Sequence, residues 1–242
     1  MYIGRQEWDH LLFVHYEVDR VELRSLVPSP LELDTYEGKT WVTLIPFRIR
    51  RSRPRLVPRA AAPLLPGSSF EELNFRTYVT GPDGQPGIWF FSLDAASAVA
   101  VSGARSLYKL PYEHARMALS VVGDTITFFS KRTDGPQHCE ARYRPLGTPA
   151  SALAGTLDHF LVERYVLFAM GRGGVYAARV RHQPYPLQDA ALEDWRENFL
   201  ETIGLETPHF AKTHYVARLV VDIGMLHGVK SRQHRNSRIE TA

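Results

Sequence analysis

Residues 72–79 read E-L-N-F-R-T-Y-V and largely alternate polar and apolar side chains with a period of two. This alternation predicts a β-strand. Glu72, Asn74, Arg76 and Tyr78 then share one face of the strand, and the opposite face is mostly apolar. Because the shared face carries an acid, an amide, a guanidinium and a hydroxyl group, the strand is a candidate functional surface.

The segment that follows predicts a buried partner strand. Residues 81–87 are rich in Gly and Pro and predict a turn, and residues 88–94 (I-W-F-F-S-L-D) are apolar on both faces until their end. A polar row beside such a strand can form the wall of a ligand cavity. The alternative is an ordinary solvated sheet face, since antiparallel sheets commonly expose one side to water.

Strand-like runs dominate the rest of the chain, and the irregular order of strands and helices favours an α+β fold with a large antiparallel or mixed sheet. Further strands are predicted for residues 8–18, 40–49, 115–121, 126–130, 139–143, 175–181 and 213–223, with Pro46 interrupting the second of these. Helices are predicted after the N-caps Asp19 and Asp94, over 156–170 and over 188–203. Residues 52–69 predict a long loop, either a lid or a mobile segment.

The composition favours one large domain, predicted over residues 1–228. The chain has 242 residues, of which 44% are hydrophobic, enough for a sizeable core. Its net charge of +3 comes from residues 229–242, a basic tail of a kind that is commonly disordered and solvated. A single cysteine, Cys139, a charged N-terminus and no apolar stretch long enough to span a membrane predict a cytoplasmic protein with no membrane partner.

Five short motifs distinguish the chain: W-D-x-L-L-F-x-H at 8–15, L-R-x-L-V-P at 23–28, F-x-E-L-N-x-R-T-Y-V at 70–79, F-F-S-L-D-A at 90–95 and L-P-Y-x-x-A-R-M at 110–117. With them, nearly the whole chain, to about residue 225, resembles the YqjF-like family of bacterial proteins of unknown function.

Residues 16–34 and 93–107 also resemble, more distantly, segments of acetoacetate decarboxylase. That resemblance implies a cone-like β-barrel that encloses a polar pocket, with helices packed outside. In the decarboxylase, a lysine pair directly follows a proline, and one lysine forms a Schiff base with a β-keto acid. Here Pro111 is followed by Tyr112 and Glu113, so acetoacetate decarboxylation is not expected.

Lys109 is the remaining nearby candidate for a nucleophile that forms an imine. It lies two residues before Pro111 and four after Arg105. If the helix persists to this point, the two cationic side chains share a face, and their like charge favours the neutral amine. The alternative is a surface lysine, because lysines are rarely buried without a partner.

A second set of polar residues lies on segments that the resemblance places around one cavity. The candidates for catalysis are Glu72, Glu113, Tyr112 and Lys109, and those for ligand binding are Asn74, Arg76, Asp94 and Arg105. An arginine can bind a carboxylate with two hydrogen bonds, a glutamate or tyrosine can transfer a proton, and an asparagine can hold a carbonyl. Together they predict a small organic acid or carbonyl compound as ligand. A Glu72–Arg76 ion pair and an Asp94 helix cap would explain part of the set without any ligand.

Other classes of site have weaker support. The ten histidines form no metal-binding motif, and His15, on an apolar strand face, is interpreted as a core histidine with its hydrogen bonds satisfied. Residues 48–59 include six arginines without an intervening acid, which could attract phosphate, yet no nucleic-acid recognition motif accompanies them. No nucleotide-binding glycine motif is present, so we expect no cofactor.

The sequence is compatible with three functional hypotheses. The first is a small-molecule-binding protein that acts as a lyase or proton-transfer enzyme on a small keto or hydroxy acid. The second is a non-catalytic ligand-binding or sensing module that uses the same cavity. The third is an interaction protein that uses its basic C-terminal arm, and a homo-oligomer is compatible with all three.

Overall fold

The computed structural model describes residues 1–206 and 208–230. The strands are β1 (Tyr2–Val18), β2 (Glu32–Leu33), β3 (Thr40–Pro54), β4 (Phe70–Thr80), β5 (Pro86–Ala95), β6 (Tyr112–Val122), β7 (Thr125–Arg132), β8 (His138–Ala150), β9 (Val166–Gly171), β10 (Gly174–Arg181), β11 (Leu187–Glu197), β12 (His209–Gly224) and β13 (His227–Gly228). The helices are α1 (Arg20–Leu26), α2 (Ala98–Tyr108), α3 (Leu157–Val162) and α4 (Phe199–Thr202), and a 3₁₀ helix spans Arg59–Leu64.

The strands of the described residues form one mixed sheet, in the order β13-β10-β9-β5-β6-β7-β8-β11-β12-β1-β3-β4-β2. Strand β5 pairs in parallel with β6 and with β9, whereas β4 pairs antiparallel with both β3 and β5. The additional pairings β10–β12 and β5–β4 join strands that are distant in this order, so the sheet curls back on itself. The prediction of a mixed, sheet-dominated fold with few helices is confirmed.

Strand β3 runs through Pro46, contrary to the predicted interruption. The pairing of β3 with β1 has a register break between Asp9 and Val14, and His10 there has a left-handed backbone, with φ of 56°. Pro46 lies opposite this break and pairs only with Leu73 of β4. Because no ladder hydrogen bond to β1 requires the missing N–H, the proline is tolerated within the strand.

The predicted helix over residues 156–170 is wrong beyond its first half. Helix α3 ends at Val162, and β9 follows between β5 and β10. The residues of β9 that are buried, Val166–Ala169, form a continuous apolar run of the kind found in strands buried on both faces. Such short runs do not distinguish a buried strand from a buried helix.

The predicted helix over residues 188–203 is also wrong, because most of it is β11, paired with β8. The pairing has an irregularity between Leu192 and Asp194. Such a bulge puts Leu192 and Trp195 against the same apolar cluster although they are three residues apart. This spacing imitates the period of a helix, and only Phe199–Thr202 are helical.

Two predicted helix starts have different outcomes. Asp19 caps α1, since its carboxylate accepts hydrogen bonds from the backbone N–H groups of Val21 and Glu22. Asp94 does not cap α2, because it lies within β5 and the cap is Ser97, whose hydroxyl accepts from Ala100.

The segment predicted as a loop over residues 52–69 is shorter than expected, since β3 extends to Pro54 and a 3₁₀ helix follows. Its action as a lid stays a prediction. The predicted tail falls largely on residues 231–242, which lie outside the described residues.

Candidate functional site

A cavity of about 130 Å³ lies inside the curled sheet, against the polar face of β4. Its walls are mainly apolar and aromatic, with Trp8, Phe13, Phe47 and Phe90 among them. The polar side chains that reach it are Gln6, Glu72, Asn74, Arg76, Tyr108, Tyr112, Arg164 and Tyr185. An apolar chamber with a few converging polar groups is the usual form of a small-molecule site.

Strand β4 supplies three neighbouring polar groups because its alternate residues point to one side. Glu72, Asn74 and Arg76 all line the cavity, whereas Tyr78, the fourth residue of the predicted polar row, is buried and is not among the lining residues. The partner strand contributes Phe90 and Leu93 to the same wall, although they are three residues apart. The β4–β5 register shifts at this point, so one extra residue of β5 changes which side chains face inward.

Glu72 is buried and its carboxyl group is held largely neutral. The Tyr112 hydroxyl donates a hydrogen bond to Glu72 Oε2 at 3.1 Å. Burial raises the pKa of Glu72 to about 8, although the hydrogen bonds from Tyr112 and Asn74 oppose the shift. Near neutral pH, Glu72 is therefore an acid that can donate a proton into the cavity.

Arg76 is a buried cation without a carboxylate partner among the described residues. Its side chain lies beside the rings of Phe13 and Tyr78, 5.8 and 5.7 Å from their centroids, and its Nη2 donates to the carbonyl of Leu161 at 3.1 Å. Its buried Nε has no hydrogen-bond partner. The Glu72–Arg76 ion pair, the alternative without a ligand, is absent from the contacts of the described residues, so no protein carboxylate among them neutralises the charge of Arg76.

Asn74, between these two residues on the same face, also has an unused polar atom. Its Oδ1 is buried and accepts no hydrogen bond within the described residues. Buried polar groups are normally satisfied, and an exception at a cavity wall indicates a place for a ligand or for water. Asn74 Oδ1 and Arg76 Nε thus provide one unused acceptor and one unused donor beside the cavity.

Arg164, the other arginine at the cavity, is already neutralised. Its Nη1 binds Asp34 Oδ2 at 2.7 Å, its Nε donates to the carbonyl of Phe160 and its guanidinium stacks on the Phe160 ring. The sequence does not indicate Arg164 as a site residue, because the spacing of apolar residues over 156–170 predicts a continuous helix there. Gln6, Tyr108 and Tyr185 are also absent from the predicted site, although the alternation of Gln6 with Trp8 on β1 could have indicated the first of these.

Four of the predicted site residues do not line the cavity. Asp94 is fully buried in an ion pair with Arg132, with contacts of 2.6 and 3.0 Å. Arg105 forms an exposed pair with Glu113 at 2.7 Å. Lys109 is exposed at the end of α2, with its Nζ 5.5 Å from the centre of the Tyr176 ring.

The arginines of residues 48–59 are mostly paired with acids rather than free. Arg51 and Arg59 both bind Glu7, Arg50 binds Asp9 and Arg55 binds Asp222. These carboxylates lie almost fully buried beneath the arginines. Part of the positive charge that suggested a phosphate-binding surface is therefore used within the protein.

Within residues 1–206 and 208–230, no group of three or more potential ligand side chains could hold a metal ion. No helix in the same part of the chain combines the length and the hydropathy needed to cross a membrane.

Comparisons with known proteins identify close sequence relatives and a shared fold. Residues 5–220 match the model of the DUF2071 family, described as an uncharacterized conserved protein. The chain is 41% identical over 220 residues to the uncharacterized protein YqjF of Bacillus subtilis (strain 168), with 88% of each chain covered.

Three solved structures have the same fold at low sequence identity. The enduracididine biosynthesis enzyme MppR complexed with pyruvate matches with a TM-score of 0.65 and 13% identity, over 94% of this chain and 90% of that one. Acetoacetate decarboxylase from Legionella pneumophila matches with a TM-score of 0.63 and 15% identity, over 93% of this chain and 87% of that one. An acetoacetate decarboxylase-like enzyme from Sphingomonas wittichii RW1 matches with a TM-score of 0.65 and 13% identity, over 96% of this chain and 94% of that one. At this identity the similarity establishes the fold alone.

Proposed function

Because this chain belongs to the DUF2071 family and shares its fold with acetoacetate decarboxylase-like proteins, we propose that it binds a small organic acid in its cavity, with the carboxylate on Arg76. The observation that carries the proposal is the buried guanidinium of Arg76, which has an unused Nε and no carboxylate partner among the described residues. Leaving a charge buried without a counterion is costly, and a ligand carboxylate would supply the missing partner.

The cavity limits the ligand to a small molecule with an apolar part. An apolar cavity of about 150 Å³ accommodates benzene, and this one measures about 130 Å³. Trp8, Phe47 and Phe90 would contact the apolar part, and Asn74 Oδ1 can accept a hydrogen bond from a hydroxyl group next to the carboxylate. A neutral Glu72 can donate a hydrogen bond to a carbonyl group at the same position. Small keto and hydroxy acids have this combination, and one protein of the same fold was crystallised with pyruvate.

Glu72 makes proton transfer the best-supported chemistry. Because its pKa is raised to about 8, Glu72 can gain or lose a proton near neutral pH, as a general acid or base must. A neutral Glu72 also does not repel the incoming carboxylate. We propose that Glu72 donates or removes the proton in a lyase or proton-transfer step, with Tyr112 positioning its carboxyl group.

The proposal does not use an imine. The decarboxylase-type lysine pair is absent after Pro111, and Lys109, the remaining candidate, is exposed and does not line the cavity. We further propose that the sheet closes around the ligand as a cone-like barrel, which the additional β10–β12 and β5–β4 pairings support.

A binding panel tests the proposal. We expect pyruvate and 2-oxobutyrate to bind wild-type protein in isothermal titration calorimetry, and the matching amides, which lack the carboxylate, to bind at least about tenfold more weakly. The Arg76→Met variant should lose this preference, whereas Arg105→Met, a surface variant, should keep it. Equal binding of acids and amides by wild-type protein would contradict the proposal.

The same panel separates an enzyme from a ligand-binding or sensing module. For any acid that is turned over, Glu72→Gln should abolish turnover while the acid still binds. If no member of the panel is turned over and Glu72→Gln changes affinity only, the non-catalytic hypothesis is favoured.

A further inference from the structure

A pair of buried histidines lies behind the cavity arginine. His15 and His214 are 0% and 2% exposed, and His15 Nε2 is 3.0 Å from His214 Nδ1. The other ring nitrogen of His15 is 2.9 Å from Thr43 Oγ1. The prediction of a core histidine with satisfied hydrogen bonds is confirmed for His15, but its two partners connect it to groups at the cavity and at the surface.

On the cavity side, the hydrogen bonds continue to the guanidinium of Arg76. Thr43 Oγ1 is 2.6 Å from the hydroxyl oxygen of Tyr78, which donates to the carbonyl of Leu161 at 2.8 Å. Arg76 Nη2 donates to the same carbonyl at 3.1 Å. The one carbonyl that accepts from the Arg76 side chain within the described residues is therefore shared with the Tyr78 hydroxyl, which connects back to the histidines through Thr43.

On the outer side, the chain ends at an acidic residue on α3. His214 Nε2 lies 3.2 Å from Asp158 Oδ1, and the side chain of Asp158 is 38% exposed. Lys212 binds the same carboxylate. Within residues 1–206 and 208–230, the buried Nε2 of His214 has no hydrogen-bond partner.

One direction of the chain allows every contact to be a hydrogen bond, because the Leu161 carbonyl can only accept. In this direction the Tyr78 hydroxyl donates to Leu161, and Thr43 donates to Tyr78. Thr43 then accepts from Nδ1–H of His15, and Nε2 of His15 accepts from Nδ1–H of His214.

In this arrangement, Nε2 of a neutral His214 carries a lone pair that faces the carboxylate of Asp158. A proton bound at Nε2 converts this repulsive contact into an attraction between an imidazolium and a carboxylate. Because both ring nitrogens of a protonated His214 carry hydrogens, its Nδ1 then donates to His15, which fixes the direction of the chain. The opposite direction would turn the Tyr78 hydrogen away from Leu161, so this carbonyl would lose the hydrogen bond that holds it in place to accept from Arg76.

We propose that Thr43, His15 and His214 are positioning residues for Arg76, and that protonation of His214 next to Asp158 strengthens the binding of a ligand carboxylate by Arg76. The proposal rests on the proposed function for its ligand, but the coupling of His214 to Arg76 can be measured without one.

The charged groups around the two rings set the sign of the pH dependence. Burial lowers the pKa of His15 well below its usual range, and His214, Arg76 and Lys212 lower it further. Burial and Lys212 also lower the pKa of His214, against the opposing charges of Asp158 and Asp189. The pair is thus neutral near pH 7 and takes up a proton as the pH falls, so the effect on Arg76 should appear on the acidic side.

Nuclear magnetic resonance of the ligand-free protein tests the coupling. We expect the Arg76 Nε–Hε signal to shift with the titration of His214 in wild-type protein, and this shift to disappear in Thr43→Val, which breaks the chain. Thr77→Val is the matched control, because Thr77 is equally buried but donates to the carbonyl of Trp41, outside the chain.

Three results of this experiment would overturn the proposal. The first is that His214 does not titrate before the protein unfolds in acid. The second is that the Arg76 Nε–Hε signal does not change when His214 titrates. The third is that this signal shifts equally far in Thr43→Val.

Calorimetry with pyruvate at pH 6 gives the functional readout. Thr43→Val should weaken binding about 3- to 10-fold, comparable to one hydrogen bond, and Thr77→Val less than about twofold. Equal affinities of the two variants would overturn the positioning role. If wild-type protein does not bind pyruvate or related acids, the proposed function fails, and the resonance experiment still decides whether the chain couples His214 to Arg76.

Discussion

At the scale of single residues, Glu72 links stability to function. Its pKa in the folded protein, about 8, lies above the usual value of 4.5. A group with a raised pKa stabilises the fold fully below its unfolded-state pKa, and this contribution is lost as the pH rises through the folded-state value. The free energy of unfolding should therefore fall between about pH 4.5 and 8, by about 1.4 kcal/mol for each unit of pKa shift.

Urea denaturation of wild-type protein and Glu72→Gln from pH 5 to 9 measures this effect. We expect the variant to lose most of the decline and to be the more stable protein at pH 8, since its amide cannot ionise. Glu71→Gln is the control, because Glu71 precedes Glu72 in the same strand but forms a partly exposed ion pair with Arg48. A wild-type decline that persists in Glu72→Gln would show that the carboxyl group is not held neutral by the fold.

The two cavity arginines should respond differently to the same substitution. Arg76→Met removes a buried cation that has no carboxylate partner in the part of the chain that the structure describes, so we expect unchanged or increased stability without ligand. Arg164→Met leaves Asp34 without its partner and should lower the free energy of unfolding by about 1–3 kcal/mol. Thermal and chemical denaturation of both variants measures the difference, and a larger loss in Arg76→Met would mean that Arg76 serves the fold rather than a ligand.

The sequence predicted the inner row of the site but not its boundaries. Alternation placed Glu72, Asn74 and Arg76 on one face, since the period of a strand is fixed by backbone geometry. It could not show that Asp94 pairs with Arg132, because that contact depends on the pairing of distant strands. Tyr112 was included through a family resemblance, and its contact with Glu72 became visible only in three dimensions.

At the scale of elements, the residues just before α2 have two different roles. Ser97 caps the helix, and Asp94 forms a buried ion pair with Arg132. Ser97→Ala removes the cap and should cost about 1 kcal/mol of stability. Asp94→Asn weakens the buried pair with Arg132 and should cost more, about 3 kcal/mol. Chemical denaturation of both variants tests this order. A larger loss for Ser97→Ala would contradict the assignment of Asp94 to the ion pair.

Two of the errors in the predicted elements have a common physical cause. Over residues 188–203, a bulge in the β11–β8 pairing gave apolar residues a helical spacing, and Pro46 falls where β3 needs no hydrogen bond to β1. Both features arise from strand register, which depends on residues far away in the chain. Helix α1 was predicted correctly because its cap, Asp19, binds backbone groups only two and three residues away.

At the scale of the whole molecule, the cavity joins strands from both ends of the chain. Its walls include residues of β1, β4, β5 and β12, whereas no residue of the β7–β8 hairpin lines it. A bound ligand should therefore slow backbone hydrogen exchange in all of the lining strands. Exchange that occurs through local opening of the β7–β8 hairpin should be nearly unchanged. Hydrogen-exchange mass spectrometry with and without pyruvate measures this pattern. Protection confined to the hairpin or to one surface loop would place the ligand elsewhere.

The most direct test of the central claim is a crystal structure of the wild-type protein with 2-oxobutyrate. We expect density inside the curled sheet, with the ligand carboxylate within hydrogen-bonding distance of Arg76 Nε and the carbonyl oxygen next to the carboxyl group of Glu72. A ligand seated at the protein surface near Lys109, or a cavity that stays free of ligand at saturating concentration, would contradict it.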